Sequence, residues 1–425
     1  MKKLPLLRLK SHPHPSNSGI RRRLRTVLPL ALVLALGTLI RTGAAEPDLP
    51  SAPPASPGLS SPAEPSTTGL VLDARAFGAL GDGRADDTAA LQRAIDAAAE
   101  KHGTVSLPPG TYLCSHLKLR PQTGLYSHPN FSYGANGGAV LKLNDPAAPC
   151  LLDLTGANGA TVEGLCLDGA NRMGTNVHGI MVDKPDYGRH EDAWRIERCR
   201  ISGFSGHGLY LNRIWCFSIR HSMICFNKGN GIWIRGWDGF ILDNWLSGNG
   251  SAGYGAYEEN AAVTMTGNRI EWNASAGIEI RGGNHYNITG NYFDRSGGPG
   301  IKVVGRGQSS SKVITITGNV IYRSGAPNWG LPEGPNNAHV YFDNVQGLTC
   351  TGNTANAGRD DGGKGAWSPR QGIVLHHLSD SIVKDNVLWR GALEKLVVDE
   401  GDHGDNVILR DNVGRLFVPP APASN

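Results

Sequence analysis

One unit is stated twice in residues 260–304, and this repetition restricts the fold more than any other feature of the chain. Each copy consists of a Thr-Gly-Asn turn, a short apolar strand, and then Gly-Ile-x-Ile or Gly-Ile-x-Val. Asn268 lies nine residues before Gly277, and Asn291 lies nine before Gly300. A period of about 23 residues, made of short alternating strands and Gly/Asn turns, predicts an all-β solenoid, a parallel β-helix whose coils bury their apolar faces against each other.

The repeat register continues on both sides of this stretch. Cys199 and Ser222 occupy the equivalent place at the front, and the steps from Cys199 to Asn291 are nearly equal in length. Asparagine fills the same place in the later coils, at Asn244, Asn268, Asn291, Asn319, Asn353, Asn386 and Asn412. Because an amide both donates and accepts, stacked asparagines are expected to form a buried ladder that satisfies backbone groups of the turns.

Two coils are longer than the others, the one from Asn319 to Asn353 and the one from Asn353 to Asn386. The extra residues fall in segments 322–338 and 355–371, at the same corner of successive coils. We expect them to lie side by side as a wall along one edge of the next sheet. Asp360, Asp361, Lys364 and Trp367 of the second segment are either substrate contacts or a solvated loop surface.

The chain divides into three parts. Residues 1–45 combine nine Lys/Arg and no acid with an apolar run from Val27 to Ile40, a pattern typical of a cleaved export signal. The run is short for a membrane span, which favours cleavage. The alternatives are a retained anchor or a misplaced start codon. Residues 46–69 are rich in Pro, Ser and Ala and predict a disordered linker, and residues 70–425 form the β-helix domain. The predicted location is secreted, periplasmic or cell-surface.

Net charge and cysteine content exclude some functional classes of protein. The chain carries 41 Lys+Arg against 37 Asp+Glu, but without the nine basic residues of segment 1–45 the balance is 32 against 37, a net charge of −5. A domain of this sign lacks the basic surface that nucleic-acid binding requires. The seven cysteines show no compact repeated spacing, and Cys350, at an inward position of its coil, is expected to be a buried thiol.

The segment that precedes the repeats is 77–114, FGALGDGRADDTAALQRAIDAAAEKHGTVSLPPGTYLC. It predicts a Gly-Asp-Gly turn, an aspartate cap at Asp86 or Asp87, and an alanine-rich helix with one apolar face. That face consists of Leu91, Ile95 and Ala98. Asp82 and both cap aspartates are expected to serve turns rather than catalysis.

This entry segment resembles the entry module of the pectate-lyase-like superfamily. The resemblance implies a right-handed parallel β-helix whose open N-terminal end is covered by the α-helix. The superfamily includes polygalacturonases, pectin and alginate lyases, epimerases and phage tailspikes. The resemblance therefore implies a carbohydrate-active protein without choosing its chemistry.

Strand alternation defines one outward face. In Gly-Ile-x-Ile the isoleucines point into the core and the x positions point to solvent, and coils stack about 4.8 Å apart, so equivalent x residues form columns. The first predicted column is Met181, Tyr210, Trp233, Gly255, Glu279, Lys302, Tyr341, Val374 and Val397. The second is Asp183, Asn212, Arg235, Tyr257, Arg281, Val304, Asp343, His376 and Asp399.

Aromatic rings among charged side chains suit a sugar chain, because rings stack on pyranoses while charges take hydroxyls and carboxylates. We predict a polysaccharide-binding face formed by Tyr210, Trp233, Arg235, Tyr257, Tyr341, Asp343 and His376. The alternative is an ordinary solvated sheet with a cross-strand ion pair between Glu279 and Lys302. Under that alternative, His376, His377 and Trp389 simply line the last coils.

The middle of this face offers residues for β-elimination of a uronic acid. That reaction needs a cation opposite the carboxylate, a base for the C5 proton and an acid for the leaving oxygen. Lys302 is the candidate base and Arg281 the candidate neutraliser or proton donor. Glu279, together with Glu258 or Glu259, is the candidate ligand set for calcium. These residue types are similar to those of the Lys/Arg lyases of the alginate-lyase and chondroitinase-B type.

Hydrolysis is the competing enzymatic prediction. Segments 176–179 and 206–208 are similar to parts of the polygalacturonase signatures, and His207 is then a candidate catalytic residue. The Asp-Asp pair of that family, however, has no counterpart on this face, which removes the acid and base of its mechanism. A different pair, Glu279 and Asp343, lies two coils apart, about 10 Å by strand spacing.

A third prediction belongs to another class, a non-catalytic carbohydrate-binding or tailspike-like adhesin. An adhesin binds its polysaccharide without releasing new chain ends. In every case the expected partner is a polysaccharide, bound by a monomer or a homotrimer, with no stable membrane partner unless the signal is retained. If Glu279 and the neighbouring glutamates bind a metal ion, calcium is the expected cofactor; otherwise no cofactor is expected.

Overall fold

The computed structural model describes residues 70–128, 131–134, 137–326, 336–360, 362–363 and 365–420. The predicted export signal at 1–45 and linker at 46–69 lie outside these residues, as do Asp361 and Lys364. The described part contains a 3-10 helix, Ala74–Phe77, one α-helix, α1 (Thr88–Ala99), and strands β1 to β33. None of its helices has the length and apolar character that crossing a membrane requires.

Thirteen strands form one parallel sheet, in which each strand pairs with its equivalent one coil further on. In chain order they are β2 (Asp82–Asp86), β4 (Gly110–Cys114), β7 (Ala139–Leu143), β10 (Cys166–Asp168), β13 (Arg200–Ser202), β15 (Met223–Cys225), β17 (Trp245–Ser247), β19 (Arg269–Glu271), β22 (Tyr292–Asp294), β25 (Val320–Tyr322), β27 (Thr354–Asn356), β30 (Val387–Leu388) and β33 (Val413–Gly414).

The other twenty strands form a second parallel sheet with two arms. Arm 1 contains β5 (Leu117–Lys118), β8 (Cys150–Asp153), β11 (His178–Asp183), β20 (Ile278–Arg281), β23 (Ile301–Val304) and β31 (Lys395–Asp399). Arm 2 contains β1 (Val71–Asp73), β3 (Thr104–Ser106), β6 (Gly124–Tyr126), β9 (Thr161–Glu163), β12 (Arg195–Glu197), β21 (Asn284–Thr289), β24 (Ser311–Thr317), β29 (Ser381–Lys384) and β32 (Val407–Arg410). Four strands run through both arms: β14 (Leu209–Arg220), β16 (Ile232–Leu242), β18 (Tyr254–Thr266) and β26 (Ala338–Thr351). The remaining strand, β28 (Gln371–Ser379), lies in arm 1, and only its last two residues reach the start of arm 2.

These three sheet faces enclose one apolar core. Alternate side chains of every strand point inward, and the buried cluster consists mainly of Leu, Ile, Val and Ala. The predicted parallel β-helix is confirmed. The two long insertions join β25 to β26 and β27 to β28, so both leave the thirteen-stranded sheet and enter arm 1 at one corner, as predicted.

The predicted asparagine ladder is also confirmed. The Asn268 amide nitrogen donates to the carbonyl of Ile241 at 2.8 Å and to Asn291 Oδ1 at 2.9 Å. Its oxygen accepts the backbone N–H of Asn244 at 3.0 Å. Equivalent bonds run from Ser222 to Asn412. A second ladder, absent from the sequence prediction, is formed by Asn227, Asn249 and Asn273.

The entry segment folds as expected. Helix α1 buries Ala90, Leu91, Ala94, Ile95 and Ala98, and it packs on β1, β3 and β5 at the start of the solenoid. Asp86 accepts the Thr88 N–H at 2.9 Å. Asp87 occupies the cap position but directs its carboxylate to the N–H groups of residues 80–81. Asp82 likewise accepts turn N–H groups, so all three aspartates hold turns.

The cysteines are free thiols, and six of the seven are buried. Cys350 faces inward as predicted, and burial raises its pKa to about 12. A thiol of this kind stays protonated and behaves as a small apolar side chain.

Candidate functional site

Strand pairing confirms the register of the first predicted column along arm 1 up to its last coil, although Val374 is buried instead of facing solvent. Met181, Tyr210, Trp233, Gly255, Glu279, Lys302, Tyr341 and Val374 follow one another in register. In the last coil Val398 pairs with Val374, whereas Val397 pairs with Ile373. The predicted places of Val397 and Asp399 are therefore wrong by one residue, because no Gly-Ile signature precedes β31 to set its register.

The second column is interrupted by a bulge in β18. Asn212 pairs with Arg235, and the column resumes with Arg281, Val304, Asp343 and His376. Between them Ala256 pairs with Ile234 and Asn260 with Gly236, so residues 257–259 stand opposite Arg235 alone. The ring of Tyr257 lies over Gly255, where an added Cβ would overlap the phenol oxygen. Burial and the Glu279 carboxylate raise the pKa of Tyr257 to about 12.

The three residues predicted to be catalytic lie together around Glu279. Its side chain is only 6% exposed, and Oε1 accepts from Arg281 Nη2 at 2.7 Å and lies 3.4 Å from Lys302 Nζ. Arg281 is 49% exposed, and its guanidinium lies 5.2 Å from the centre of the Tyr257 ring. One carboxylate between two cations gives this cluster a net charge of +1, whereas the neighbouring Arg235 with Glu258 and Glu259 carries −1. The exposed guanidinium of Arg281 is the group that suits an anionic ligand.

Glu258 and Glu259 contact Arg235. Arg235 Nη1 lies 3.2 Å from Glu258 Oε2, and Nη2 lies 2.8 Å from Glu259 Oε2. The bonds from Arg235 and from the Tyr187 hydroxyl hold the pKa of the Glu259 carboxyl below its ordinary value. Within the described residues, neither glutamate joins Glu279 in a group of three ligand atoms lying within 4.8 Å of one another. The geometry therefore gives the predicted calcium site no support.

A cleft of about 630 Å³ opens beside the bulge. Its walls include Trp237, Glu258, Glu259, Asn260, Gly282 and Arg306. Tyr187 stacks on the wall residue Trp237 at 3.9 Å between ring centres. Glu279, Arg281 and Lys302 are not wall residues, but Gly282, which directly follows Arg281, is one. The cleft therefore lies next to the cluster.

The aromatic residues of the first coils stack on each other. The Tyr210 ring lies 4.7 Å from that of His178 on one side and 4.7 Å from that of Trp233 on the other, with interplanar angles of 12° and 17°. Both faces of Tyr210 are therefore occupied by protein. The prediction of pyranose stacking is corrected for Tyr210, which offers a substrate its edge and hydroxyl.

His178 and His207 belong to a further ladder. His178 Nδ1 accepts the backbone N–H of His207 at 3.0 Å, and His207 Nδ1 accepts that of Asn230 at 2.9 Å. The amide oxygen of Asn230 does the same for Ala252 at 3.0 Å. Burial lowers the pKa of His178 to about 3 and that of His207 to about 4. Both are therefore neutral acceptors in the turns, which favours a turn role for His207 over a catalytic one.

The last predicted binding residues lie two coils (Tyr341 and Asp343) and three coils (His376) beyond Glu279. Burial and the Asp343 carboxylate raise the pKa of Tyr341 to about 12. His376 Nδ1 lies 3.1 Å from Asp343 Oδ1, and His377 Nδ1 lies 3.3 Å from the same oxygen. The contribution of His377 was not predicted, since strand alternation assigns it to the opposite side of the sheet. The sequence feature that could have indicated the contribution of His377 is its position directly after His376.

The described part of the second long loop contacts other parts of the protein. Asp360 forms an ion pair with the buried Arg295. The guanidinium of Arg359 lies 4.6 Å from the centre of the Trp367 ring, and this ring also contacts Phe417. These contacts fasten the loop to the turn that follows β22, two coils earlier, and to the C-terminal segment.

Two family models match the chain. The one described as "right handed beta helix region" matches residues 155–321 and 257–413. The one described as "rhamnogalacturonase A/epimerase, pectate lyase-like" matches residues 71–129, which include the entry segment. The handedness and superfamily that the resemblance implied are thereby confirmed.

Curated relatives match over part of their length. Mannuronan C5-epimerase AlgE6 of Azotobacter vinelandii is 31% identical over 189 residues, which are 40% of this chain and 20% of that protein. The capsule K30/K69-specific depolymerase 1 of Klebsiella phage K5-2 is 26% identical over 223 residues, 49% of this chain and 27% of that protein. The chain thus spans about a fifth to a quarter of these relatives.

A solved structure shares the architecture. The A-module of Azotobacter vinelandii mannuronan C-5 epimerase AlgE6 superposes with a TM-score of 0.55 at 20% identity, covering 82% of this chain and 100% of that one. At this identity the likeness concerns the fold. Together with the family model, which matches more than half of the chain, it leads to one assignment: the chain belongs to the right-handed parallel β-helix family of the pectate-lyase-like superfamily.

Proposed function

We propose that this chain is a carbohydrate-active enzyme that binds an acidic polysaccharide along arm 1 and removes the C5 proton of a uronic acid residue. The observation that carries the proposal is the cluster in which Arg281 and Lys302 flank the buried Glu279 beside an open cleft. Relatives named as mannuronan C5-epimerases and as a capsule depolymerase support a polysaccharide substrate.

Each residue of the cluster has one role in this proposal. A substrate carboxylate competes with Glu279 for Arg281, which is half exposed and can stabilise charge that develops on the carboxylate. Lys302 takes the C5 proton, a role that requires the uncharged form of its amine. The electron pair of the C5–H bond then moves toward the carboxylate. Glu279 positions the side chains of Arg281 and Lys302.

Two outcomes follow from the same intermediate. In elimination the C4–O bond breaks, a C4–C5 double bond forms, and the leaving oxygen receives a proton. In epimerisation a proton returns to C5 from the opposite face. Elimination is the outcome that the residue types favour, and epimerisation is the second candidate because of the names of the relatives.

The test is incubation of the full chain in D₂O with polyuronates and with neutral polysaccharides. Near-ultraviolet absorbance reports elimination, reducing ends report any cleavage, and deuterium at C5, read by NMR, reports reversible proton removal. We expect absorbance or C5 deuteration on a polyuronate. Reducing ends with neither signal would move the proposal to hydrolysis through Glu279 and Asp343. Silence on every polymer, with binding retained, would favour the adhesin.

Substitutions test whether Lys302 is the general base. Loss of a general base typically costs a factor of about 10² to 10⁴ in rate, so we expect Lys302→Gln to lower turnover at least a hundredfold. Arg195→Gln is the matched control, because Arg195 is an exposed cation on β12 in arm 2. Equal turnover in the two variants would remove Lys302 from the mechanism.

We further propose that the chain is exported and acts as a monomer or homotrimer outside the cytoplasm. The support is the basic and apolar composition of residues 1–45. Mass spectrometry of the mature N-terminus and light scattering of the purified protein test the two parts separately. A mature chain that still begins at Met1 would contradict cleavage.

A further inference from the structure

We infer that Asp343, His376 and His377 form a binding site for a divalent transition-metal ion, with zinc the best-suited ion. Their three ligand atoms lie within 4.8 Å of one another, and no other described residues form a group of three such ligands. The site stands on its own geometry. It is tested without polysaccharide, so its failure and the failure of the proposed function are distinguishable.

The backbone brings two consecutive histidines to one side of the sheet. In a regular strand neighbouring side chains point to opposite faces. His377 instead has φ = 48°, in the left-handed region, and this local turn rotates its ring to the side of His376. The two ring centres are 3.7 Å apart. β26, one coil earlier, supplies Asp343, which pairs in register with His376.

The separations of the three atoms fit a single ion. His376 Nδ1, His377 Nδ1 and Asp343 Oδ1 form a triangle with sides of 3.0, 3.1 and 3.3 Å. Ligand atoms about 2.0 Å from a tetrahedral or octahedral ion are themselves about 2.8 to 3.3 Å apart. Hydrogen bonds explain this triangle less well, because two imidazole nitrogens that both donate to Asp343 would repel each other at 3.0 Å.

A fourth residue orients the rings. Asp402 Oδ2 lies 3.4 Å from His376 Nε2 and 3.7 Å from His377 Nε2, on the far side of both imidazoles. A carboxylate at this place favours a proton on Nε2 and leaves the Nδ1 lone pair for a metal, as outer carboxylates do for metal-bound histidines. Asp402 is therefore a positioning residue.

The ligand set selects the class of ion. Two imidazoles and one carboxylate suit zinc and its neighbours, whereas calcium and magnesium prefer oxygen alone. His376 is 26% exposed and Asp343 34% exposed, so solvent or a sugar hydroxyl has room to complete the coordination. The site faces the same side of arm 1 as Glu279 and Lys302, and Asp343 lies one coil and His376 two coils beyond Lys302.

The experiment is a zinc titration of the full chain, produced without a polyhistidine tag and stripped with a chelator. A chromogenic zinc chelator in competition gives stoichiometry and affinity, and cobalt substitution gives the coordination number from its visible spectrum. We expect one zinc per chain, with affinity lowered at least tenfold in Asp343→Asn, His376→Gln and His377→Gln. For Asp402→Asn we expect a loss of about tenfold with an unchanged cobalt spectrum.

His221→Gln is the control, because His221 faces a single carboxylate, Asp243, at 3.6 Å on the surface. It should bind zinc as the unmodified chain does. Circular dichroism of the metal-free variants checks that they fold. The inference is overturned if the unmodified chain binds no stoichiometric zinc, or if His377→Gln binds it as tightly as His221→Gln does.

Discussion

At the scale of the residue, this protein uses ring nitrogens as backbone acceptors. In the turn that precedes arm 1, one backbone N–H group of each coil needs an acceptor from the coil before it. His178, His207 and Asn230 supply that acceptor in three successive coils. A histidine in this role must stay neutral, because a protonated Nδ1 cannot accept. A third histidine, His339, is fully buried, and burial lowers its pKa to about 3.

These histidines predict a loss of stability in mild acid. Their pKa values of about 3 for His178 and about 4 for His207 lie below the ordinary value of about 6.5. Between those values the unfolded chain binds more protons than the folded one, so the free energy of unfolding falls as the pH drops below 6.5. We expect a loss of about 1 to 2 kcal/mol per histidine between pH 7 and pH 5, measured by urea unfolding.

His207→Asn separates this role from catalysis. An asparagine oxygen can accept the same N–H group, as Asn230 does for Ala252. The variant should keep its polysaccharide activity and show a shallower dependence of unfolding free energy on pH. A variant that folds normally but loses turnover would instead make His207 catalytic, and an unchanged pH slope would contradict the linkage.

At the scale of the element, the coils are held by ladders that repeat one interaction. Each buried asparagine both donates and accepts, so it bonds to the coil before it and the coil after it. Such bonds have no competition from water, and an unpaired partner left behind is costly. The ladder therefore links neighbouring turns more strictly than apolar packing does.

Asn268→Ala should lower the free energy of unfolding by about 2 to 4 kcal/mol. The reason is that the substitution leaves the N–H of Asn244 and the carbonyl of Ile241 buried without these partners. Urea unfolding followed by circular dichroism measures the change. Asn287→Ala is the control, because Asn287 is exposed on arm 2, and its effect should stay within about 0.5 kcal/mol. Similar losses in both variants would contradict the ladder argument.

At the scale of the whole molecule, a solenoid has ends, and an uncovered end exposes both apolar side chains and strand edges. Helix α1 covers the N-terminal end through a face that buries Leu91 and Ile95. Its neighbours are the first strands of both arms, β1, β3 and β5. The cap therefore contributes to solubility as well as to stability.

Ile95→Ala should destabilise the protein by about 2 to 5 kcal/mol, and Ile95→Val by about 0.5 to 1.5 kcal/mol. Ile95 is 1% exposed, so its removal leaves a cavity under the helix. We expect Ile95→Ala also to associate on mild heating, measured by light scattering, because the loosened cap exposes the first coil. Association that is equally strong in Ile95→Val would show that the cap does not control it.

The solenoid, the capping helix, the asparagine ladder and the register of most of the outward columns could be predicted from the amino-acid sequence. These features depend on local periodicity, and coils of nearly constant length must place equivalent residues one above the other. The same logic brought Glu279, Arg281 and Lys302 together, since they lie on adjacent strands in register.

The features that break the repeat depend on contacts between coils and became visible in the folded chain. The bulge in β18 turns Glu258 and Glu259 toward Arg235. Ring stacking closes both faces of Tyr210, and the left-handed conformation of His377 adds its ring to the group around Asp343. A period predicts where a side chain leaves the backbone, but its direction there depends on backbone angles and on neighbours from other coils, which no single repeat contains.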